Sequence, residues 1–187
     1  MKVNSKIYSL SILSSKEMWA SMYSGSEYRE STGVWHYDGQ TWENIPMLSD
    51  QKLFSFIALS PDGTLWLVSN RNINYDNYSG KIIKYKNGTI SQTIDFQDAD
   101  VFSVFASSNN TLWIIEPNSI LHFDGLNLLP LDLPFNPAGS DPLNPNRITA
   151  FSEQGNTLCL AADKQGIWCK HDKDWENYNR NLNCTAP

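Results

Sequence analysis

Apolar and polar residues alternate with a period of two along most of the chain, the pattern that makes one face of a strand apolar and the other polar. The runs Ile7-Tyr8-Ser9-Leu10-Ser11-Ile12, Phe54-Ser55-Phe56-Ile57-Ala58-Leu59, Val101-Phe102-Ser103-Val104-Phe105 and Ile148-Thr149-Ala150-Phe151 each read as a first strand. A polar turn follows each of them, and then a second apolar run. Those second runs are relatives of one another: Glu17 to Met22, Gly63 to Val68, Asn110 to Ile115 and Asn156 to Ala161. Their anchors Trp19, Trp66, Trp113 and Cys159 lie 47, 47 and 46 residues apart (66−19, 113−66, 159−113). A constant interval of this size marks a repeat architecture, and a repeat of short strands marks a propeller.

The remainder of each repeat predicts a third and a fourth strand. Val34-Trp35-His36-Tyr37 turns at Asp38-Gly39 into Trp42 to Ile45, which Pro46 ends. Ile82-Ile83-Lys84-Tyr85 turns at Asn87-Gly88 into Thr89 to Ile94, and Ile120-Leu121-His122-Phe123 at Asp124-Gly125 into Leu128 to Leu131. Ile167-Trp168-Cys169-Lys170 and Trp175-Glu176-Asn177-Tyr178 complete the last unit. Glycine at such turns permits positive φ without steric cost. Long polar loops are expected at 23–32 and 70–80, a short one at 116–119, a Pro-rich connector at 134–146 and a loose tail at 179–187. No stretch has a helical period. The expected fold is all-β, a β-propeller-like array of four four-stranded blades within one domain, residues 1–187. The repeats span about 5–46, 52–95, 100–133 and 147–178. The array is either a closed four-bladed ring, which removes exposed sheet edges, or an arc of a larger propeller.

Pro61-Asp62-Gly63-Thr64-Leu65-Trp66, Val34 to Trp42 and Ile120-Leu121-His122-Phe123-Asp124-Gly125 resemble the two-component regulator propeller repeats of bacterial sensor proteins. The resemblance runs over roughly residues 7–178 in short, degenerate units. It implies a propeller that recognises a carbohydrate or other small ligand. Val68-Ser69 and Ile115-Glu116 stand where that family usually has Gly-Thr, and the signalling region that usually adjoins such arrays is not expected within this sequence. What carries over is the fold and ligand binding, not a signalling output.

Composition narrows the partners. A net charge of −6 and the lack of any Lys/Arg cluster argue against nucleic acid and against a basic membrane patch. No apolar run approaches the ~18 residues of a membrane span, and the N-terminus lacks the apolar region of a signal peptide. As written the chain reads as cytoplasmic, or as extracytoplasmic if it belongs to a sensor protein. Cys159, Cys169 and Cys184 are odd in number. Cys159 reads as a small buried residue in the place of an indole. Whether it shares a face with Cys169 depends on the parity of the turn between them.

All the expected variation in loop length falls on one face, which nominates that face for recognition. Tyr23, Tyr28 and Arg29 from one loop, with Arg71, Tyr75 and Tyr78 from the next, are the candidate ligand-binding residues. Tyrosine offers a flat apolar surface with a hydrogen-bonding tip at modest entropic cost. The same composition suits solvated loops whose tyrosines cover the rim of a core. Trp66 and Trp113 are expected to pack between blades. His36, Lys84, His122 and Lys170 align on third strands and read as exposed rather than as metal ligands, because equivalent positions on different blades diverge. Asp50, Asp98, Asp100 and Asn146-Arg147 precede inner strands without a common register or an accompanying His.

No catalytic residue, metal site or cofactor is assigned. The expected function is a non-catalytic binding or sensor-type module for a small molecule, glycan or protein. The alternatives are an assembly module that pairs laterally with another chain, including a homo-oligomer, and an axial-site hydrolase or lyase.

Overall fold

The computed structural model describes residues 5–24, 30–49, 54–74, 77–97, 101–137 and 146–178. The chain divides into two compact units, Met1–Asp100 and Val101–Pro187. In the first unit, one sheet comprises β1 (Ser5–Ser14), β2 (Glu17–Ser24), β3 (Glu30–Tyr37) and β4 (Trp42–Asn44), followed by the one-turn helix α1 (Pro46–Ser49). The other comprises β5 (Phe54–Leu59), β6 (Leu65–Asn74), β7 (Asn77–Lys86) and β8 (Thr89–Gln97). In the second unit, β9 (Ser103–Ala106), β10 (Leu112–Ile115), β11 (Ile120–Phe123) and β12 (Leu128–Pro130) form one sheet. The last sheet comprises β13 (Ile148–Gln154), β14 (Thr157–Ala162), β15 (Gly166–His171) and β16 (Asp174–Asn177). In all four, the strands adjoin in chain order and run antiparallel, the meander of a propeller blade. The all-β array of four four-stranded blades expected from the repeats is the observed fold.

Turn chemistry repeats with the strands. Ser60 N–H donates to the Thr64 carbonyl at 2.9 Å, and Gly63 N–H to the Ser60 carbonyl at 3.0 Å. Forty-seven residues on (107−60), Ser107, Thr111 and Asn110 make the same pair of bonds at 2.9 and 3.0 Å. Gly63 (φ 80°) and Asn110 (φ 60°) take the left-handed conformation that this turn requires. Asp38 Oδ1 accepts from the Gln40 and Thr41 N–H groups at 2.8 Å each, and Asp124 Oδ1 from Leu126 and Asn127 at 2.8 and 2.7 Å. The N–H groups of Thr41 and Gln40 hold the Asp38 carboxyl below its usual range, and those of Asn127 and Leu126 do the same for Asp124. The aspartate of the Asp-Gly motif therefore organises a turn.

Each unit has its own core. In the first, Trp19, Val34 and Leu48 pack with Ile57, Leu65, Leu67, Ile83 and Tyr85, joining the facing sides of its two sheets. In the second, Trp113, Ile115 and Ile120 pack with Ile148, Leu160 and Ala162. Trp66 is wholly buried, and its indole N–H donates to Ser60 Oγ at 2.8 Å. Burying an aromatic side chain contributes ~1.5–3 kcal/mol, so these positions dominate blade packing.

One interface uses serine where an apolar residue is the usual choice. Ser9 Oγ accepts from Ile57 N–H at 3.2 Å, and Ser11 Oγ accepts from Leu59 N–H at 2.9 Å. β5 is the edge strand of its sheet, and these hydroxyls occupy backbone donors that an edge leaves open. The serine side of β1 therefore faces the neighbouring sheet. Leu10 and Ile12 face away from it.

Three local expectations are corrected. The ladder of β6 and β7 continues from Leu65↔Tyr85 out to Asn74↔Asn77, so most of the expected loop 70–80 is hairpin. Likewise Tyr23↔Ser31 and Ser24↔Glu30 extend β2 and β3 into the expected loop 23–32. Asn and Ser carry turn propensity, but a ladder already nucleated on buried Leu65 to Ser69 extends outward at little further entropic cost. Pro46 does end β4, but it also begins α1, since its fixed φ suits a first helical position. Leu48 on that turn is fully buried in the first core.

Candidate functional site

The hairpin between second and third strands differs in length among the sheets. In the third sheet it is closed by Glu116 N–H donating to Ser119 O at 2.9 Å, directly beyond β10 and β11. In the first unit both such ladders run further, to Ser24↔Glu30 and to Asn74↔Asn77. The candidate ligand-binding residues belong to these hairpins. Tyr23 pairs with Ser31, Arg71 with Ser79 and Tyr78 with Asn72, which puts Arg71 and Tyr78 on neighbouring rungs of one ladder. Their side chains, and the whole of Tyr28, Arg29 and Tyr75, lie outside the described residues, as do Asp50, Asp98 and Asp100. Arg147 offers its carbonyl to Asp163 N–H at 2.8 Å.

The third-strand His and Lys side chains are not simply exposed. His36, Lys84 and His122 pair directly across from Trp19, Trp66 and Trp113. His36 stacks on Trp19 with centroids 4.3 Å apart, and His122 on Trp113 at 4.2 Å. The Lys84 ammonium lies 5.1 Å from the Trp66 ring centroid. Each indole is thus covered by a flat or cationic group, a pairing worth ~0.5–1 kcal/mol or more. Burial pushes the His122 imidazole below its usual pKa, against the opposing fields of Asp124 and Glu153. His122 Nε2 is 2.8 Å from Thr111 Oγ1, and His36 Nε2 is 3.0 Å from Glu17 Oε1. Among the described residues no three His, Cys, Asp or Glu side chains are grouped to hold a metal ion.

In the fourth sheet this cross-strand position holds Cys159 and Cys169, joined as a disulfide with Cα atoms 4.1 Å apart. The expectation that Cys159 is merely a small buried residue is therefore corrected. Lys170 is not the counterpart of His122. It lies one residue on, opposite Leu158 and Trp175, with its ammonium 5.9 Å from the Trp175 ring centroid. The β14–β15 turn has a parity that brings Cys169, not Lys170, opposite the anchor position.

A cleft of about 190 Å³ lies between β9 and β13, lined by Phe102, Phe105, Ile115 and Phe151 among others. It is smaller than the ~300–1,000 Å³ usual for small-molecule sites.

No family model matches the sequence, and no curated protein does. Solved structures do. The extracellular domain assigned to a hybrid two-component system, BT4673, of B. thetaiotaomicron is similar at 14% identity and TM-score 0.56, over 94% of this chain and 23% of that one. XC5397 of Xanthomonas campestris, described as a gluconolactonase, is similar at 14% identity and TM-score 0.49, over 82% and 52%. A second B. thetaiotaomicron extracellular domain, BT3049, reaches TM-score 0.36 at 12% identity, over 92% and 28%. This chain spans about a quarter of the length of the BT4673 domain. At such identities the first likeness speaks for the fold alone.

Proposed function

We propose that this chain is a non-catalytic, sensor-type propeller module of the two-component regulator kind. It recognises a small molecule, glycan or protein at the rim formed by the β2–β3 and β6–β7 hairpins. The observation that carries this reading is the confinement of the long hairpins to the two sheets of the first unit, where Tyr, Asn and Arg are concentrated. A rigid sheet that presents an extended hairpin pre-organises contact groups, and pre-organisation lowers the entropic cost of binding. The fold-level likeness to an extracellular two-component domain agrees with this role. In a glycan, peptide and small-molecule screen, Tyr28→Ala with Tyr75→Ala is expected to weaken any ligand found at least tenfold while leaving the melting temperature within ~2 °C. Undiminished binding by that variant rejects the rim as the site.

The Cys159–Cys169 disulfide favours an extracytoplasmic location, because such bonds persist in oxidising compartments. The protein denatured without reductant is expected to titrate one thiol of its three cysteines, that of Cys184. Three free thiols in material from an oxidising compartment would contradict this assignment. Removing the bond with Cys159→Ser is expected to cost ~2–3 kcal/mol from the loop-closure entropy of a short bridge.

A further inference from the structure

The first sheet turns an apolar face away from the second. The pairings Leu10↔Ala20, Ile12↔Met18, Ala20↔Trp35 and Met18↔Tyr37 set these residues opposite the side that carries Ser9, Ser11, Trp19 and Val34. Ile7, Leu10, Ile12 and Trp42 on this face are 55, 47, 59 and 43% exposed. None of these positions holds a charge. Trp35 Nε1 is buried with no acceptor among the described residues.

The repeat itself identifies what covers such a face. Adding 47 to Leu10, Ile12, Met18 and Ala20 gives Ile57, Leu59, Leu65 and Leu67, and the counterparts of Trp35 and Tyr37 on β7 are Ile83 and Tyr85. In the second sheet those residues pack beneath Trp19, Val34 and Leu48 of the first. The same apolar face is thus occupied in one repeat and open in the one before it. The outward face of the fourth sheet is of another kind. Ser152, Gln154, His171, Asp174 and Glu176 surround the disulfide there and are exposed. That face is polar where the corresponding faces of the first and third sheets carry Trp19 and Trp113.

We propose that the apolar face of β1–β4 is a docking surface for a further four-stranded blade, seated through a face bearing an indole and β-branched residues. The occupant is specified by the register match to the covered second sheet. A second copy of this chain suits the surface poorly. Its Trp19 and Trp113 faces are already packed within its own units, and its fourth sheet presents the polar face. This inference stands apart from the hairpin-rim reading, since it concerns a sheet face and not the rim.

The test is to duplicate residues 7–53 in tandem within the full chain, which adds one blade and preserves the 47-residue spacing (53−7+1). Amide exchange in the original β1 and β2 is expected to slow at least tenfold, while the added copy takes over the open face. Trp19→Ser placed only in the added copy should reverse that slowing. If exchange in the original β1 and β2 is unchanged by the added blade, the proposal fails. It also fails if the unextended chain sediments as a dimer that Leu10→Lys with Ile12→Lys dissociates, since a second copy is then the occupant. A monomer whose binding of the apolar dye ANS is lowered by that charged pair, with its melting curve retained, supports the exposed face as described.

Discussion

Trp113→Ala is expected to remove about 3–5 kcal/mol of folding free energy, the usual cost of truncating a large buried aromatic. Trp113 is 7% exposed, stacks on His122 at 4.2 Å and meets Phe151 at 5.2 Å. Phe151 belongs to β13 and His122 to β11, so the indole ties the two sheets of the second unit together. β10 is buried at every position, so the truncation opens its cavity inside the core. With a urea m-value of ~1–3 kcal/mol/M, the transition midpoint should fall by at least ~1 M. Amide protection should be lost first in residues 101–178, with less effect on 54–97. Trp113→Phe should retain roughly half of the stability, since it keeps an aromatic surface against Phe151. A loss under ~1 kcal/mol for the alanine variant would mean that the indole does not hold the sheets together.

Gly80→Val should be the next most damaging change, and for the opposite reason. Gly80 pairs directly with Phe96, and a Cβ built at position 80 would stand 2.2, 2.4 and 2.8 Å from three atoms of that ring. Phe96 lies over the bare backbone and is itself 8% exposed, so the ring substitutes for the side chain that glycine lacks. A branched side chain would expel the ring, and overpacking of this kind costs ~1–3 kcal/mol or more. Loss of the Phe96 contact adds to that. The combined variant Gly80→Val with Phe96→Ala should be less destabilised than the sum of the two single changes, as expected for residues in direct contact. Strict additivity in that double-mutant cycle would sink the explanation.

The candidate rim was legible in the sequence only as a region. Aromatic, Asn and Arg residues at 23–32 and 70–80 marked it, but turn-forming composition concealed that β2, β3, β6 and β7 extend into it. Ladder extension depends on the strength of the adjoining buried segment, and local propensity does not report that. The disulfide was concealed for a related reason. Cross-strand pairing depends on turn parity, which neither Cys159 nor Cys169 reveals from its own neighbours.

The 47-residue spacing of indole anchors, the period-two runs and the Asp-Gly and Asn-Gly turns determined the strands, their order and the blade count. Asn87 and Gly88, at φ 51° and 78°, close a two-residue hairpin as that dipeptide dictates. Only the tertiary structure decided which side of each strand meets a neighbour. In β1 the alternation offered Ser9 and Ser11 on one side and Leu10 and Ile12 on the other, and the serines turned toward β5. A strand's own pattern makes two faces but cannot rank them. That ranking depends on what the adjoining sheet presents, and here it presents edge amides that a hydroxyl satisfies and a methyl group cannot.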